Sequence, residues 1–208
     1  PSGHDIEKLI NKLEKVKSLN GPTVFHLKTI KGRGLPMAEK HPYRMHYASP
    51  YDLNSGKGGN PTVTGKTFAG EAADVIYQKM KKDKNIYVIT PATPYSNNLD
   101  DIIKDFPDRG FDVGMAEQQA VGMSVGLALE GKKVIVCFQS TFMQRAFDQI
   151  YHDACCMNLP ITFLTSRTGF AGYDSPTHHG LMDIPYLRCI PNLQLYFPGD
   201  SHDLKVCL

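Results

Sequence analysis

A chain of 208 residues, 41% of them apolar, has room for one domain or for one domain plus part of another. Its 23 basic and 21 acidic residues leave a net charge of +2, which gives no electrostatic case for a nucleic-acid or acidic-polymer partner. No apolar run approaches the roughly 18 residues of a membrane span, and Pro1-Ser2-Gly3 opens no charged-then-apolar leader, so neither a membrane nor a secreted protein is expected. The five cysteines are odd in number and lack a C-x-x-C pair, which predicts buried thiols in a reducing compartment rather than disulfides or a zinc site.

In chain order, Asp5 is placed to cap a helix whose stripe is Ile6, Leu9, Ile10, Leu13 and Val16. Asn20-Gly21-Pro22 ends it, and Thr23 to Leu27 alternates like a strand. One helix and one strand cannot form a core, so residues 1–49 are expected to be the end of a second α/β domain whose sheet lies elsewhere. Between Lys31 and Lys66, glycines and prolines replace periodicity, and 50–66 is expected to be a linker. From 67 to 208 strands and helices alternate. Helices are predicted through Phe68–Ile76, Leu99–Ile103, Glu117–Leu129 and Thr141–Met157. Apolar runs at Ile86–Ile89, Phe111–Val113, Val134–Phe138, Ile161–Leu164 and Leu193–Phe197 read as strands. The expected fold class is therefore α/β, a parallel sheet with helices on both faces.

Ligands of such sheets sit beyond the carboxyl ends of the strands, and four segments fall there. Glu117 opens a helix, where a carboxylate either simply complements the dipole or does chemistry. Arg145, one turn into the next helix, is a cation where a cation is unfavourable, which makes it a candidate anion ligand. The polar loop Ser166–Gly180 concentrates Arg167, Asp174, His178 and His179, but no third ligand stands at metal spacing; proton transfer or phosphate binding by His178 is better motivated. Gly199-Asp200 resembles the start of a metal motif without its partner Asn. Lys31-Gly32-Arg33-Gly34 lacks the spacing of a phosphate loop, though Lys31 and the backbone remain able to meet a phosphate.

The block Phe111-Asp112-Val113-Gly114-Met115-Ala116-Glu117-Gln118 resembles the conserved-glutamate motif of the pyrimidine-binding domain in transketolase-like thiamine-diphosphate enzymes. Ser140–Gln149, Arg167-Thr168-Gly169, Asp174–Gly180 and Leu187–Asn192 are similar to the 1-deoxy-D-xylulose-5-phosphate synthase family in particular. Gly3-His4-Asp5, His26–Thr29, Lys31–Gly34, Ala38–Pro42 and His46 are similar to the end of that family's first domain. The resemblance implies condensation of pyruvate with glyceraldehyde 3-phosphate on thiamine diphosphate with Mg2+, by a full-length homodimer in a bacterial cytoplasm or plastid-like organelle. It implies Glu117 on the aminopyrimidine nitrogen, Phe142 stacked on that ring, and Arg145 and Arg167 on the acceptor phosphate. Asp174 and His178 would position substrate, and Lys31 and His46 would reach the cofactor from the other domain. No metal ligands are assigned, because the metal-binding motif belongs to a domain this sequence lacks; turnover by these 208 residues alone is therefore not expected. Gln119 stands where the family usually has His, and Gln139 where it usually has Tyr, which leaves open a paralogue with a different acceptor. A non-catalytic subunit built on the pyrimidine domain is the other alternative.

Overall fold

A computed structural model describes residues 3–40, 51–55, 66–171 and 176–208. The chain divides into two compact units, Pro1–Thr64 and Gly65–Leu208.

In the first unit, helix α1 (Ile6–Lys17) starts where Asp5 accepts a hydrogen bond from the Lys8 amide at 3.0 Å. The apolar stripe forms as the spacing predicts, yet no α1 residue is buried; Ile6 and Ile10 are 70% and 53% exposed. A helix this amphipathic normally buries that face. The strand expected at Thr23–Leu27 is absent. No neighbouring strand offers a ladder to it among the described residues, and Val24 stands fully open. A short helix, α2 (Pro36–Lys40), interrupts the segment expected to be irregular, with proline at its first position, where a missing N–H costs nothing.

The second unit is a parallel four-stranded sheet. Helix α3 (Phe68–Lys82), capped by the Thr67 hydroxyl on the Gly70 amide, leads to β1 (Ile86–Thr90). Helix α4 (Asp100–Asp105) then precedes β2 (Gly110–Asp112), and α5 (Glu117–Leu129) precedes β3 (Lys133–Gln139). The order across the sheet is β2-β1-β3-β4, with β4 at Ile161–Ser166. Alternation along the strands divides the core in two. Val134, Val136, Phe138 and Ile89 pack with Ala120, Val121, Met143 and Ile150 on one face. Ile86, Val88 and Cys137 pack with Ile76 and Met80 of α3, Ile102 of α4 and Leu99 just before it on the other. Burial pushes the Cys137 thiol up to about 12, so it stays a protonated core residue.

Two expectations fail here. The long helix expected over Thr141–Met157 is broken into α6 (Ser140–Met143), a 3-10 turn (Gln144–Ala146), α7 (Phe147–Gln149) and a π-helical stretch (Ile150–Cys155). Such changes of winding rotate side chains out of the 3.6-residue pattern, which periodicity cannot reveal. The strand expected at Leu193–Phe197 forms no ladder. Leu193 and Leu195 pack against the core while Tyr196 and Phe197 face outward, so the alternation reflects one buried side without pairing to β4. After a short helix, α8 (Asp183–Leu187), the chain ends in α9 (Ser201–Cys207). Asp200 caps α9 by accepting from the His202 and Asp203 amides, so Gly199-Asp200 is a helix start.

Arg109 ties the end of α3 to the sheet. Its Nη1 donates to the carbonyls of Met80, Asp83 and Ile86 at 3.2, 3.0 and 3.4 Å, and its plane lies over Phe106 at 4.9 Å. A cation on the last carbonyls of a helix also meets the negative end of its dipole. Arg109→Ala should cost about 1–3 kcal/mol and lower the thermal midpoint by several degrees. Arg109→Lys should recover only part of this, because one ammonium cannot serve the same fan of carbonyls. Thermal unfolding of both variants beside the parent checks it.

Candidate functional site

Strand order reverses between β1 and β3, whose onward connections run to β2 on one side and β4 on the other. Crevices form at such points, beyond the carboxyl ends of the strands. Here the ends are fastened by polar side chains. The buried Thr90 hydroxyl, ending β1, donates to the Cys137 carbonyl of β3 at 2.9 Å. Asp112, ending β2, accepts from the Ala92 amide at 2.8 Å and from the Gly114 amide at 2.9 Å, joining the loops after β1 and β2.

Glu117 is the first residue of α5 and is 3% exposed. A carboxylate so buried requires a counter-charge or donors. Arg145, carried on the 3-10 turn, supplies one: its Nη1 donates to Glu117 Oε2 at 2.8 Å. The Arg145 side chain itself remains 53% exposed. The cation that lacked a partner in the sequence thus has one, and it is the candidate catalytic carboxylate.

Three consecutive residues at the start of α6 hold the loop between β4 and α8. Ser140 Oγ donates to the buried Asp183 Oδ2 at 2.5 Å. Thr141 Oγ1 donates to the Thr177 carbonyl at 3.2 Å. The half-buried Phe142 ring meets the His178 ring edge-on at 5.3 Å. Gly180 lies against this junction so closely that an added Cβ would run into Ser140 Oγ and stand 3.0 Å from Asp183 Oδ2. Gly180 and Gly169 exchange backbone hydrogen bonds at 2.8 and 3.2 Å, closing the neck of the loop.

The structure therefore brings Glu117 to Arg145 and Phe142 to His178. Arg167 follows β4 directly, with a backbone φ of +57°. Lys31 lies in a turn of the first unit. Asp174 and His46 are outside the described residues. Among the described residues no group of three His, Cys, Asp or Glu side chains could hold a metal ion, and no helix is long and apolar enough to cross a membrane. Asp112 and Asp183 were not singled out from the sequence. Asp112 has a local signal, an Asx turn two residues before Gly114. Asp183 has none, since its partner is 43 residues away.

Burial raises the Asp183 carboxyl above its usual 3.8, against the opposing hydrogen bond from Ser140. A raised carboxyl stabilises the fold fully below the unfolded value, and that stabilisation is lost as pH rises through the folded value. Asp183→Asn, which keeps an acceptor for Ser140, should abolish this slope. Unfolding measured at several pH values from below 3.8 upward should show the variant gaining on the parent as pH rises; parallel curves would exclude Asp183 as the source.

Comparison with known proteins accords with this geometry. The sequence family described as transketolase, pyrimidine binding domain, matches residues 66–208. Over 207 residues the chain is 42% identical to a 1-deoxy-D-xylulose-5-phosphate synthase of Aquifex aeolicus, covering 98% of this chain and 32% of that protein. It is 40% identical over 203 residues to 1-deoxy-D-xylulose-5-phosphate synthase 1 of Geobacter sulfurreducens, with the same coverage. The chain thus spans about a third of the length of the curated relatives it matches. Among solved structures, a split gene transketolase, described as an inactive β4 tetramer, superposes with a TM-score of 0.60 at 25% identity, over 69% of this chain and 47% of that one. The parallel sheet, the buried glutamate opening α5 and the match over residues 66–208 together make the chain a member of the transketolase pyrimidine-binding domain family.

Proposed function

We propose that this chain supplies the pyrimidine-binding half of a thiamine-diphosphate site in a synthase that joins pyruvate to glyceraldehyde 3-phosphate, giving 1-deoxy-D-xylulose 5-phosphate and carbon dioxide. The observation that carries the reading is the Glu117 carboxylate: buried at the N-terminus of a helix, with Oε2 engaged by Arg145. No other described side chain donates to it, so Oε1 is left for a ligand N–H. In a chain about 40% identical to such synthases over nearly its whole length, this free acceptor fits an aminopyrimidine.

When bound, thiamine diphosphate supplies the electron sink that lets pyruvate lose carbon dioxide. Glu117 holds a proton at the pyrimidine ring nitrogen and thereby fixes the ring's tautomer. Phe142 stacks on that ring and excludes water, held in a T-shaped contact with the His178 ring. Arg145 and Arg167 hold the acceptor phosphate, and His178 and Asp174 orient the substrates. Lys31 and His46 act on the cofactor from the remnant domain, residues 1–49, with 50–66 as the linker. The magnesium ion that accompanies the diphosphate takes its ligands from a further domain of the full-length polypeptide. The working protein is a homodimer of a bacterial cytoplasm or plastid-like organelle, and assembly finds support in the tetramer formed by the solved transketolase relative.

A second reading keeps the cofactor and changes the acceptor. It is favoured by Gln139, whose carboxamide is buried at the end of β3 with Nε2 unpartnered among the described residues. An orphaned donor at this place accords with a site adapted to a different polar group.

Full-length protein given thiamine diphosphate, magnesium, pyruvate and glyceraldehyde 3-phosphate should form the five-carbon phosphate with release of carbon dioxide. Glu117→Gln, which keeps the shape and loses the acid–base function, should lower turnover by about 100-fold or more. Undiminished turnover by that variant would overturn the reading. Faster reaction with another aldehyde in a panel of acceptors would select the second reading.

A further inference from the structure

The guanidinium of Arg145 is divided between two environments. It presents five N–H donors in a planar fork. Among the described residues only Nη1 is engaged, on Glu117 Oε2 at 2.8 Å. The carboxylate end of the pair is buried, with 4% of the Glu117 side chain exposed, while 53% of the Arg145 side chain is open. One edge of the fork therefore meets a fixed anion inside the fold, while the side chain that carries the remaining donors is half open to solvent.

We propose that Arg145 is a shared cation, its inner edge fixing Glu117 and its outer edge taking an oxyanion group of a ligand, so that the charge on Glu117 sets how tightly that oxyanion is held. This rests on the reading above that Arg145 meets the acceptor phosphate, and adds to it an antagonism between the two anions. A buried carboxylate in contact with the guanidinium cancels much of its field at the outer edge, and its repulsion of a second anion a few ångströms further on is poorly screened. By linkage, whatever removes the charge of Glu117 strengthens oxyanion binding at Arg145. Arg145 is then a positioning residue for the carboxylate as well as a ligand-binding one. The two anchors of the site are not independent.

Sulfate is a suitable probe, because it keeps its double charge across the neutral range. Calorimetric titration of sulfate into the full-length protein without thiamine should show binding that weakens about tenfold or more in Arg145→Gln. The same titration should show binding about three- to tenfold tighter in Glu117→Gln than in the parent. Glu117→Leu, which removes the charge without leaving an acceptor, gives a second route to the same gain if the Gln variant fails to fold. If Arg145→Gln leaves sulfate binding unchanged, or no variant binds sulfate, Arg145 is not an oxyanion ligand, and its role in the reading above falls with this proposal. If Arg145→Gln weakens binding but neither Glu117 variant strengthens it, the antagonism alone is overturned.

Discussion

The hydrogen bond from Ser140 to Asp183 joins two pieces of chain that would otherwise have no fixed relation. Ser140 follows directly on β3 and opens α6; Asp183 opens α8 on the far side of a long loop. Both side chains are buried, so breaking the bond would leave two polar groups unsatisfied inside the fold, which is costlier than the bond's own net value. With that bond in place, Thr141 reaches the Thr177 carbonyl and Phe142 reaches the His178 ring. Three successive α6 residues thus align a loop that sequence shows only as polar and irregular. Gly180 is the steric condition for this, since any side chain there would push Ser140 and Asp183 apart.

The same strand end governs the other half of the site. Helix α6 gives way to a single 3-10 turn, and that turn carries Arg145 to Glu117. Overwinding shifts a side chain around the helix axis, so the reach of Arg145 and the irregular winding belong together. The π-helical stretch that follows keeps Ile150, Ala154 and Cys155 in the core despite the shift.

How much of this was legible in the sequence depends on the range of the interaction involved. Helix α5 matches its predicted bounds, Glu117–Leu129, and Asp5 caps as its position suggests, because these features are set within one turn of chain. The α/β class was equally visible, since strands buried on both faces must be nearly continuous apolar runs. The 23–27 and 193–197 segments misled because alternation does not supply the neighbouring backbone a strand needs: 193–197 buries one side without a ladder, whereas 23–27 lies largely exposed. Glu117, Arg145, Phe142 and His178 could be named from motif and position. Their pairing could not, because Arg145 meets a residue 28 positions earlier and Phe142 one 36 positions later.

Arg167 has a φ of +57°, in the left-handed region. Among the described residues the other non-glycine residues there are three asparagines and one alanine, and asparagine tolerates that region best. A glycine would sit at this corner without strain, so the native arginine carries a conformational penalty on the order of 1 kcal/mol. Replacing it with glycine should make the loop more comfortable and the protein no less stable. The corner is thus a place where backbone comfort and the choice of side chain pull in opposite directions, and a glycine introduced there for stability would remove the guanidinium proposed above to hold the acceptor phosphate.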